Sequence, residues 1–256
     1  MILVDTHLHL TDSRYHKDLL PQVLKEAREV GVDWVISLST DLQDCLRNCE
    51  ISTQFDNVFC GIGIHPHEAV SFEKSQMKTV RHLMEVYRQC VVLGEIGLDY
   101  HYRHSTRDEQ IQAFSSFLEL SIETGWPVAI HSREAEAEVC ALLKSYPGVQ
   151  GVCHSYTGGL EDLQTMLACG LYISVNGMVT FSKNENILEI VKQIPLERLL
   201  LETDAPYLTP HPHRSKLNEP KYLPLIAQKV AQIKDISVEK VCEKTTQNAQ
   251  RIFRHV

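Results

Sequence analysis

The chain has 256 residues, with 25 Lys and Arg against 33 Asp and Glu, and a formal net charge of -8 at pH 7. This length allows either two small domains or one α/β barrel with a large core. The acidic balance argues against a surface that wraps a long stretch of nucleic acid, but it allows a short strand end to enter a pocket.

The sequence contains eight Cys, without a C-x-x-C pair, and we expect them to be reduced core residues. The first residues lead directly into an apolar run, without the pattern of a signal peptide. No apolar stretch approaches the roughly 18 residues of a membrane span. We therefore expect a cytoplasmic protein that does not enter the membrane.

Short runs rich in Val, Ile and Leu alternate with amphipathic stretches, a pattern typical of parallel strands covered by helices. Eight strands are predicted over 2–8, 34–38, 58–64, 91–96, 127–130, 151–154, 171–175 and 199–203. Helices are predicted over 16–30, 42–55, 74–88, 108–124, 133–145, 160–169 and 184–193, and after the last strand over 221–234 and 238–253. Eight βα units in one series predict a single (β/α)8 TIM barrel over 1–256, with C-terminal helices.

The main alternative to a barrel is an open, doubly wound sheet. That fold would favour a Gly-rich phosphate loop after a strand. The nearest sequence, over 61–66, lacks the third Gly, so the barrel is preferred. A segment rich in Pro and His, over 205–220, is predicted to be a long functional loop.

Metal-ligand side chains follow several of the predicted strands. His7 and His9 leave the same face of the first strand, about 7 Å apart. The others are Glu95, His131, His154 and Asp204. A lone His at a strand end usually forms a local hydrogen bond, and a lone Asp before Ala-Pro is usually a turn residue. Because strand ends line one mouth of a barrel, the six together predict a metal site.

Six sequence segments resemble the TatD family of metal-dependent deoxyribonucleases, a branch of the metal-dependent hydrolase barrels. They are Asp5-Thr6-His7-Leu8-His9-Leu10, Gly63-Ile64-His65-Pro66, Gly94-Glu95-Ile96-Gly97-Leu98-Asp99-Tyr100, Ile130-His131-Ser132-Arg133, His154-Ser155-Tyr156-Thr157-Gly158 and Leu201-Glu202-Thr203-Asp204-Ala205-Pro206-Tyr207-Leu208. The resemblance implies a (β/α)8 barrel with a pocket for up to two or three divalent ions. It also implies hydrolysis of DNA phosphodiester bonds, often from the 3′ end.

Glu95 is expected to be catalytic because a carboxylate on the fourth strand can bridge two cations. The predicted arrangement has one ion on His7, His9, Glu95 and Asp204, and a second on Glu95, His131 and His154. Asp204 is also a candidate general base. The two carboxylates leave part of the charge of two divalent ions uncompensated, which suits an anionic diester. Imidazole ligands favour Zn²⁺ or Mn²⁺, whereas the resemblance implies Mg²⁺, so the metal stays open.

Four further residues are candidates for binding the substrate. His65 could donate to phosphate or pack against Pro66, and Arg133 could bind phosphate or pair with an acidic neighbour, Asp99 or Glu134. Tyr100 and Tyr207 lie in loop clusters that mix aromatic and basic residues, which could stack bases or form a solvated surface.

Three functions remain open from the sequence. The first is a two-metal deoxyribonuclease with DNA as its substrate, single-stranded ends being preferred, and with no obligate protein partner. The second is a metallohydrolase of a small ester, amide or lactone on the same barrel. The third is a non-catalytic scaffold in which the ligands are structural, against which an open coordination position would argue.

Overall fold

The computed structural model describes residues 2–181 and 185–253. It contains a parallel eight-stranded sheet whose strands neighbour one another in chain order. They are β1 Leu3–Leu8, β2 Val32–Leu38, β3 Val58–Ile62, β4 Cys90–Asp99, β5 Val128–Arg133, β6 Gly151–Cys153, β7 Tyr172–Val175 and β8 Leu199–Leu201. The predicted barrel and all eight predicted strands are confirmed.

The sheet closes between its first and last strands. A parallel bridge joins Leu8 to Ala205, and the amide of His9 donates to the Ala205 carbonyl at 2.7 Å. Deeper in the barrel, the buried Asp5 carboxylate accepts the Thr203 amide at 2.9 Å and the Thr203 hydroxyl at 2.5 Å. These bonds fix the segment after β8 beside β1.

Nine α-helices lie within the described residues. They are α1 Leu20–Glu29, α2 Leu42–Gln54, α3 Met77–Val86, α4 Arg107–Thr124, α5 Glu136–Ser145, α6 Leu160–Ala168, α7 Glu185–Gln193, α8 Leu223–Lys234 and α9 Val238–Ile252. Local sequence sets several of their ends. For example, Thr106 and Glu109 form a capping box at the start of α4, and Gly125 ends that helix at φ 72°.

The last helix covers the barrel at the end where the strands begin. Asn248 donates to the carbonyls of Leu196 and Leu199, next to the start of β8, and Thr246 donates to the Ile2 carbonyl beside β1. Phe253, fully buried, packs with strand residues in an apolar cluster. The opposite end of the barrel, where the strands finish, carries the polar cavity.

Several predicted boundaries differ from the structure. Strand β4 continues to Asp99, and β5 continues to Arg133, because these two residues pair in the parallel ladder between the strands. The predicted start of a helix at 133 is therefore wrong, and α5 begins at Glu136. Strand β3 ends at Ile62, so His65 lies three residues beyond it, at the start of a 3-10 turn. The helix predicted over 184–193 starts at a position outside the described residues.

All eight cysteines are free, as the sequence predicted. Seven are buried and Cys169 is partly exposed. Among the described residues, no helix has both the length and the apolar character needed to cross a membrane.

Candidate metal centre

Glu95 stands at the centre of the polar cluster, and its two oxygens contact different histidines. Oε2 lies 3.3 Å from Nε2 of His7 and 3.6 Å from Nε2 of His9. Oε1 lies 2.8 Å from Nε2 of His154 and 2.9 Å from Nδ1 of His131. The carboxylate therefore separates two groups of donor atoms, one on each side.

Asp204 completes the group formed by His7 and His9. Its Oδ1 lies 3.6 Å from Nε2 of His9 and 3.9 Å from Nε2 of His7. The residue has φ 56°, in the left-handed region that costs energy for a side chain other than Gly. Its amide donates to the His7 carbonyl at 2.9 Å, so the closure between β8 and β1 holds the carboxylate beside the histidines.

The imidazole nitrogens face each other in pairs within these two groups. Nε2 of His7 and Nε2 of His9 are 3.3 Å apart, and Nδ1 of His131 and Nε2 of His154 are 3.1 Å apart. Nitrogens at such distances either share a proton or bind a common cation. The outer nitrogens of the rings indicate which arrangement the chain favours.

The outer nitrogens of His9 and His131 face hydrogen-bond acceptors. Nδ1 of His9 lies 3.1 Å from the Leu38 carbonyl, and Nε2 of His131 lies 3.0 Å from Oδ2 of Asp99. A neutral imidazole that donates from its outer nitrogen presents only a lone pair from its inner nitrogen. In that neutral form, the inner nitrogens and the Glu95 carboxylate are all acceptors, and a cation satisfies them together.

The spacing of the donor atoms also fits a metal ion. Ligands at 2.0–2.1 Å from a tetrahedral ion are separated from each other by about 3.3 Å. The contacts among His7, His9, Glu95 and Asp204 run from 3.3 to 3.9 Å. The donor set, nitrogen with carboxylate oxygen, is one that divalent transition metals bind. The residues present therefore fit a divalent metal.

Burial and the neighbouring charges shift the pKa values of Glu95 and His9 in opposite directions. Burial favours the neutral form of Glu95, but the nearby His154, His7 and His65 outweigh it and hold the pKa of Glu95 well below its usual range. Burial also opposes protonation of His9, yet the hydrogen bond with Asp204 and the charge of Glu95 raise its pKa to about 9. A metal ion would displace the proton of His9, because imidazole and carboxylate ligands bind metals in their deprotonated forms.

Three polar residues beside the donors were not singled out from the sequence as site residues. Oδ2 of Asp99 lies 3.0 Å from Nε2 of His131 and 2.9 Å from Nε2 of His67. Oε1 of the buried Glu202 lies 3.5 Å from Nδ1 of His154. A signal existed for two of them: Asp99 lies four residues after Glu95, and Glu202 lies two residues before Asp204, so an extended chain would place each on the same face as that candidate. His67 follows His65 within a 3-10 turn, to which this period does not apply.

The residues predicted to bind the substrate divide between the cavity and its surroundings. The cavity, of about 460 Å³, is lined by His65, Arg133 and Tyr207 but not by Tyr100. The Tyr100 hydroxyl instead donates to the Glu138 carboxylate, outside the cavity. The Tyr207 ring, 47% exposed, is covered on one face by the Arg14 guanidinium at 4.1 Å.

Arg133 and Arg47 bring positive charge to the same cavity. Neither of the acidic partners considered for Arg133 is engaged with it: Asp99 faces histidines, and Glu134 contacts Nδ1 of His101 at 2.6 Å. The Arg133 guanidinium lies 4.8 Å from the centre of the Tyr102 ring. Arg47 pairs with Asp44 at 3.2 Å, and no sequence pattern marks it as a site residue.

The barrel, with clustered histidine and carboxylate side chains at its mouth, defines the class of metal-dependent hydrolase barrels. Comparison with known proteins agrees, because residues 4–254 match the family described as TatD related DNase. The chain belongs to the TatD family, and it is a metal-dependent hydrolase. The family predicted from the sequence segments is confirmed.

Individual relatives resemble the chain over nearly its whole length. The uncharacterized metal-dependent hydrolase YabD of Bacillus subtilis is 35% identical over 255 residues, covering 99% of each chain. A 3'-5' ssDNA/RNA exonuclease TatD of Dickeya dadantii is 35% identical over 261 residues, covering 98% of each. The crystal structure of YJJV, a TatD homologue from Escherichia coli, superposes with a TM-score of 0.93 at 22% identity, covering 99% of this chain and 98% of the other.

Proposed function

We propose that this protein is a nuclease that hydrolyses phosphodiester bonds of DNA from the 3′ end of single strands, using two divalent metal ions. The observation that carries the proposal is Glu95, whose two oxygens contact separate histidine groups. A relative that is 35% identical over 98% of both chains bears the name 3'-5' ssDNA/RNA exonuclease TatD, which supports this substrate class.

The proposed ligands follow from the two groups of donors. The first position would use His7, His9, Glu95 and Asp204, and the second would use Glu95, His131 and His154. When bound, the ions would supply Lewis acidity to the phosphoryl group and lower the pKa of a water molecule. Imidazole nitrogen predominates, so Mn²⁺ or Zn²⁺ suits the positions better than Mg²⁺.

Asp204 is the proposed general base. Its side chain lines the cavity and is more exposed than that of Glu95, 15% against 3%, so it can reach a water molecule that enters with the substrate. Its contacts with His7 and His9 keep the carboxylate in one orientation. The proton from the attacking water would pass to this carboxylate as the bond between phosphorus and the leaving 3′ oxygen breaks, and that oxygen would take a proton from solvent. Glu95 would keep its two oxygens on the two groups of donors.

The rest of the cavity suits an anionic strand end. Arg133 and Arg47 both line it, and a guanidinium can bind two phosphate oxygens at once. His65, within 3.5 Å of Glu95, is placed to donate to a phosphoryl oxygen. Tyr207, held by Arg14, offers its ring to a base at the mouth of the cavity.

The decisive experiment is the digestion of end-labelled DNA. Metal-stripped protein would be incubated with single- and double-stranded DNA after separate addition of Mg²⁺, Mn²⁺ or Zn²⁺. Glu95→Gln would be treated in parallel, with Glu138→Gln as the control, because Glu138 binds Tyr100 and Arg107 outside the cavity. We expect a ladder that shortens from the 3′ end for the wild type and the control, and none for Glu95→Gln.

Two other results would change the assignment. Intact DNA with every metal would reject the nuclease and move the assignment to hydrolysis of a small ester, amide or lactone, to be tested on a substrate panel. A ladder of equal intensity from Glu95→Gln would indicate a contaminating nuclease or a reaction that does not need the bridging carboxylate.

A further inference from the structure

A second cavity adjoins the catalytic one on the same face of the barrel. We call it the side pocket; it has about 590 Å³ and lies among the loops after β5 and β6 and helix α7, lined by Thr157, Gly158, Gly159, Leu160, Asn186 and Ile190. Arg133 lines both cavities. A ligand in the side pocket and a phosphate in the catalytic cavity could therefore both contact Arg133.

The walls of the side pocket combine carboxylates with apolar surface and an amide. Three carboxylates line it, those of Glu134, Glu136 and Glu189. Leu160, 42% exposed, supplies apolar surface, and Asn186 supplies an amide with both donors and an acceptor. Apolar surface with a hydrogen-bonding edge matches the chemistry of a nucleobase.

The floor of the side pocket is fixed before any ligand enters. The Tyr156 hydroxyl donates to the Gly159 carbonyl at 2.6 Å, and this holds the loop after β6 in place. A Cβ added at Gly158 would come within 2.6 Å of Cγ of Glu136 and 2.7 Å of the Tyr156 hydroxyl. The absence of a side chain at 158 thus lets the loop pack closely, and the pocket above it stays open.

Arg133 forms the border between the two cavities. Its guanidinium lies 4.8 Å from the centre of the Tyr102 ring, which restrains the side chain at the end of β5. The histidines lie in the catalytic cavity, whereas Leu160 and Asn186 lie in the side pocket. The phosphate of a strand would remain with the histidines and Arg133, whereas the adjoining base would lie in the side pocket.

We propose that the side pocket binds the base of the nucleotide that carries the leaving 3′ oxygen, so that the protein prefers strands over small phosphodiesters. This rests on the proposed nuclease function and extends it to a second binding position. The site requires an unpaired base, because a base paired in a duplex could not enter a pocket beside the cleaved bond. The preference for single strands would then arise in part from this pocket.

Gly159 offers a way to fill the pocket without disturbing the fold. A Cβ at this position meets nothing within 4 Å. Its φ of -82° is open to any residue, and it makes no side-chain cap that a substitution could remove. Gly159→Trp would place an indole ring in the space proposed for the base. As the control, Gln164→Trp adds the same ring at an exposed position of α6 outside the pocket.

The test compares kcat/KM for pentathymidylate with that for thymidine 5′-p-nitrophenyl phosphate, using metal-loaded protein. For Gly159→Trp we expect the ratio to fall about tenfold, in line with the loss of one base contact. For Gln164→Trp it should match the wild type. Thermal unfolding would check that each variant is folded, and anisotropy of labelled pentathymidylate would measure binding independently of cleavage.

The outcomes separate this inference from the proposed function. An unchanged ratio with unchanged affinity for pentathymidylate in folded Gly159→Trp would overturn the base pocket while leaving the nuclease intact. An equal fall in Gln164→Trp would overturn it as well. If the wild type cleaves no DNA, the nuclease fails by itself. In that case, weaker binding of pentathymidylate by Gly159→Trp would support the base pocket, and unchanged binding would overturn it.

Discussion

The two sides of Glu95 hold their histidines by different means. On the side of His7 and His9, a second carboxylate, Asp204, lies directly among the donor atoms. On the side of His131 and His154, the additional carboxylates lie behind the imidazole rings and not among the donor atoms. Asp99 faces the outer nitrogen of His131, and Glu202 faces that of His154.

This difference teaches how one barrel could present two unlike positions for metal ions. A carboxylate among the ligands reduces the charge of an ion directly. A carboxylate behind an imidazole acts through the ring, because it fixes the tautomer and increases the basicity of the inner nitrogen. We expect metal binding beside His7 and His9 to depend on the charge of a ligand carboxylate. Metal binding beside His131 and His154 should depend on the carboxylates that support the rings.

The largest effect is expected where the two sides meet. Glu95→Gln is nearly isosteric but removes the charge that both sides share. Turnover should fall by more than about 10³-fold, because both positions lose a ligand, while the free energy of unfolding changes by no more than a few kcal/mol. Activity assays with metal analysis and chemical denaturation measure the two quantities. Substantial residual turnover would rule out the bridging role.

The next largest effect is expected from Asp204→Asn, which affects one side only. It removes the proposed general base, and kcat should fall by about 10²- to 10³-fold. Metal analysis should find that one ion is lost and one is retained. Loss of both ions would show that the two sides are not independent, and full activity would remove Asp204 from the mechanism.

Asp99→Asn tests the supporting layer of the other side. We expect affinity for one metal ion to fall by about 10- to 100-fold, since the amide can no longer hold His131 in its donating tautomer by charge. Titration with a competing chelator measures this. Asp44→Asn is a matched control, because Asp44 is also buried at the cavity but contacts Arg47 and the Thr40 amide. An equal loss of affinity in both variants would contradict the specific role of Asp99.

The smallest effect is expected from Arg133→Ala, which lies outside both groups of donors. KM for DNA should rise about tenfold, the value of one charged hydrogen bond, while kcat changes little. Arg107→Ala is the control, because this arginine binds Glu138 away from the cavity. Lower stability with unchanged kinetics would instead assign Arg133 a structural role.

Much of the site could be anticipated because each candidate follows a strand-like run. The two-residue period of a strand places His7 and His9 on one face. In a (β/α)8 barrel the carboxyl ends of all strands lie at the same end of the barrel. Asp99 was not chosen because strand β4 was predicted to end at 96, whereas its pairing with β5 carries it to 99. The extra length depends on a neighbouring strand, so a single-sequence pattern does not contain it.

The loop residues differ for a similar reason. Tyr100 and Tyr207 looked equivalent in sequence, each in a segment of aromatic and basic residues after a strand. The structure turns the Tyr100 hydroxyl toward Glu138 on α5 and leaves Tyr207 at the cavity beside Arg14. Contacts with residues distant in the sequence therefore decide which of the two tyrosines lines the cavity.

The sequence by itself determined the alternation of strands and helices, the residue types at the strand ends and the family to which the chain belongs. These features depend on local periodicity and on short segments that remain recognisable without a structure. The tertiary structure decided which carboxylate stands behind which imidazole, where Arg133 points and that a second pocket opens beside it. Those features depend on contacts between elements distant in the chain, which form only when the barrel closes.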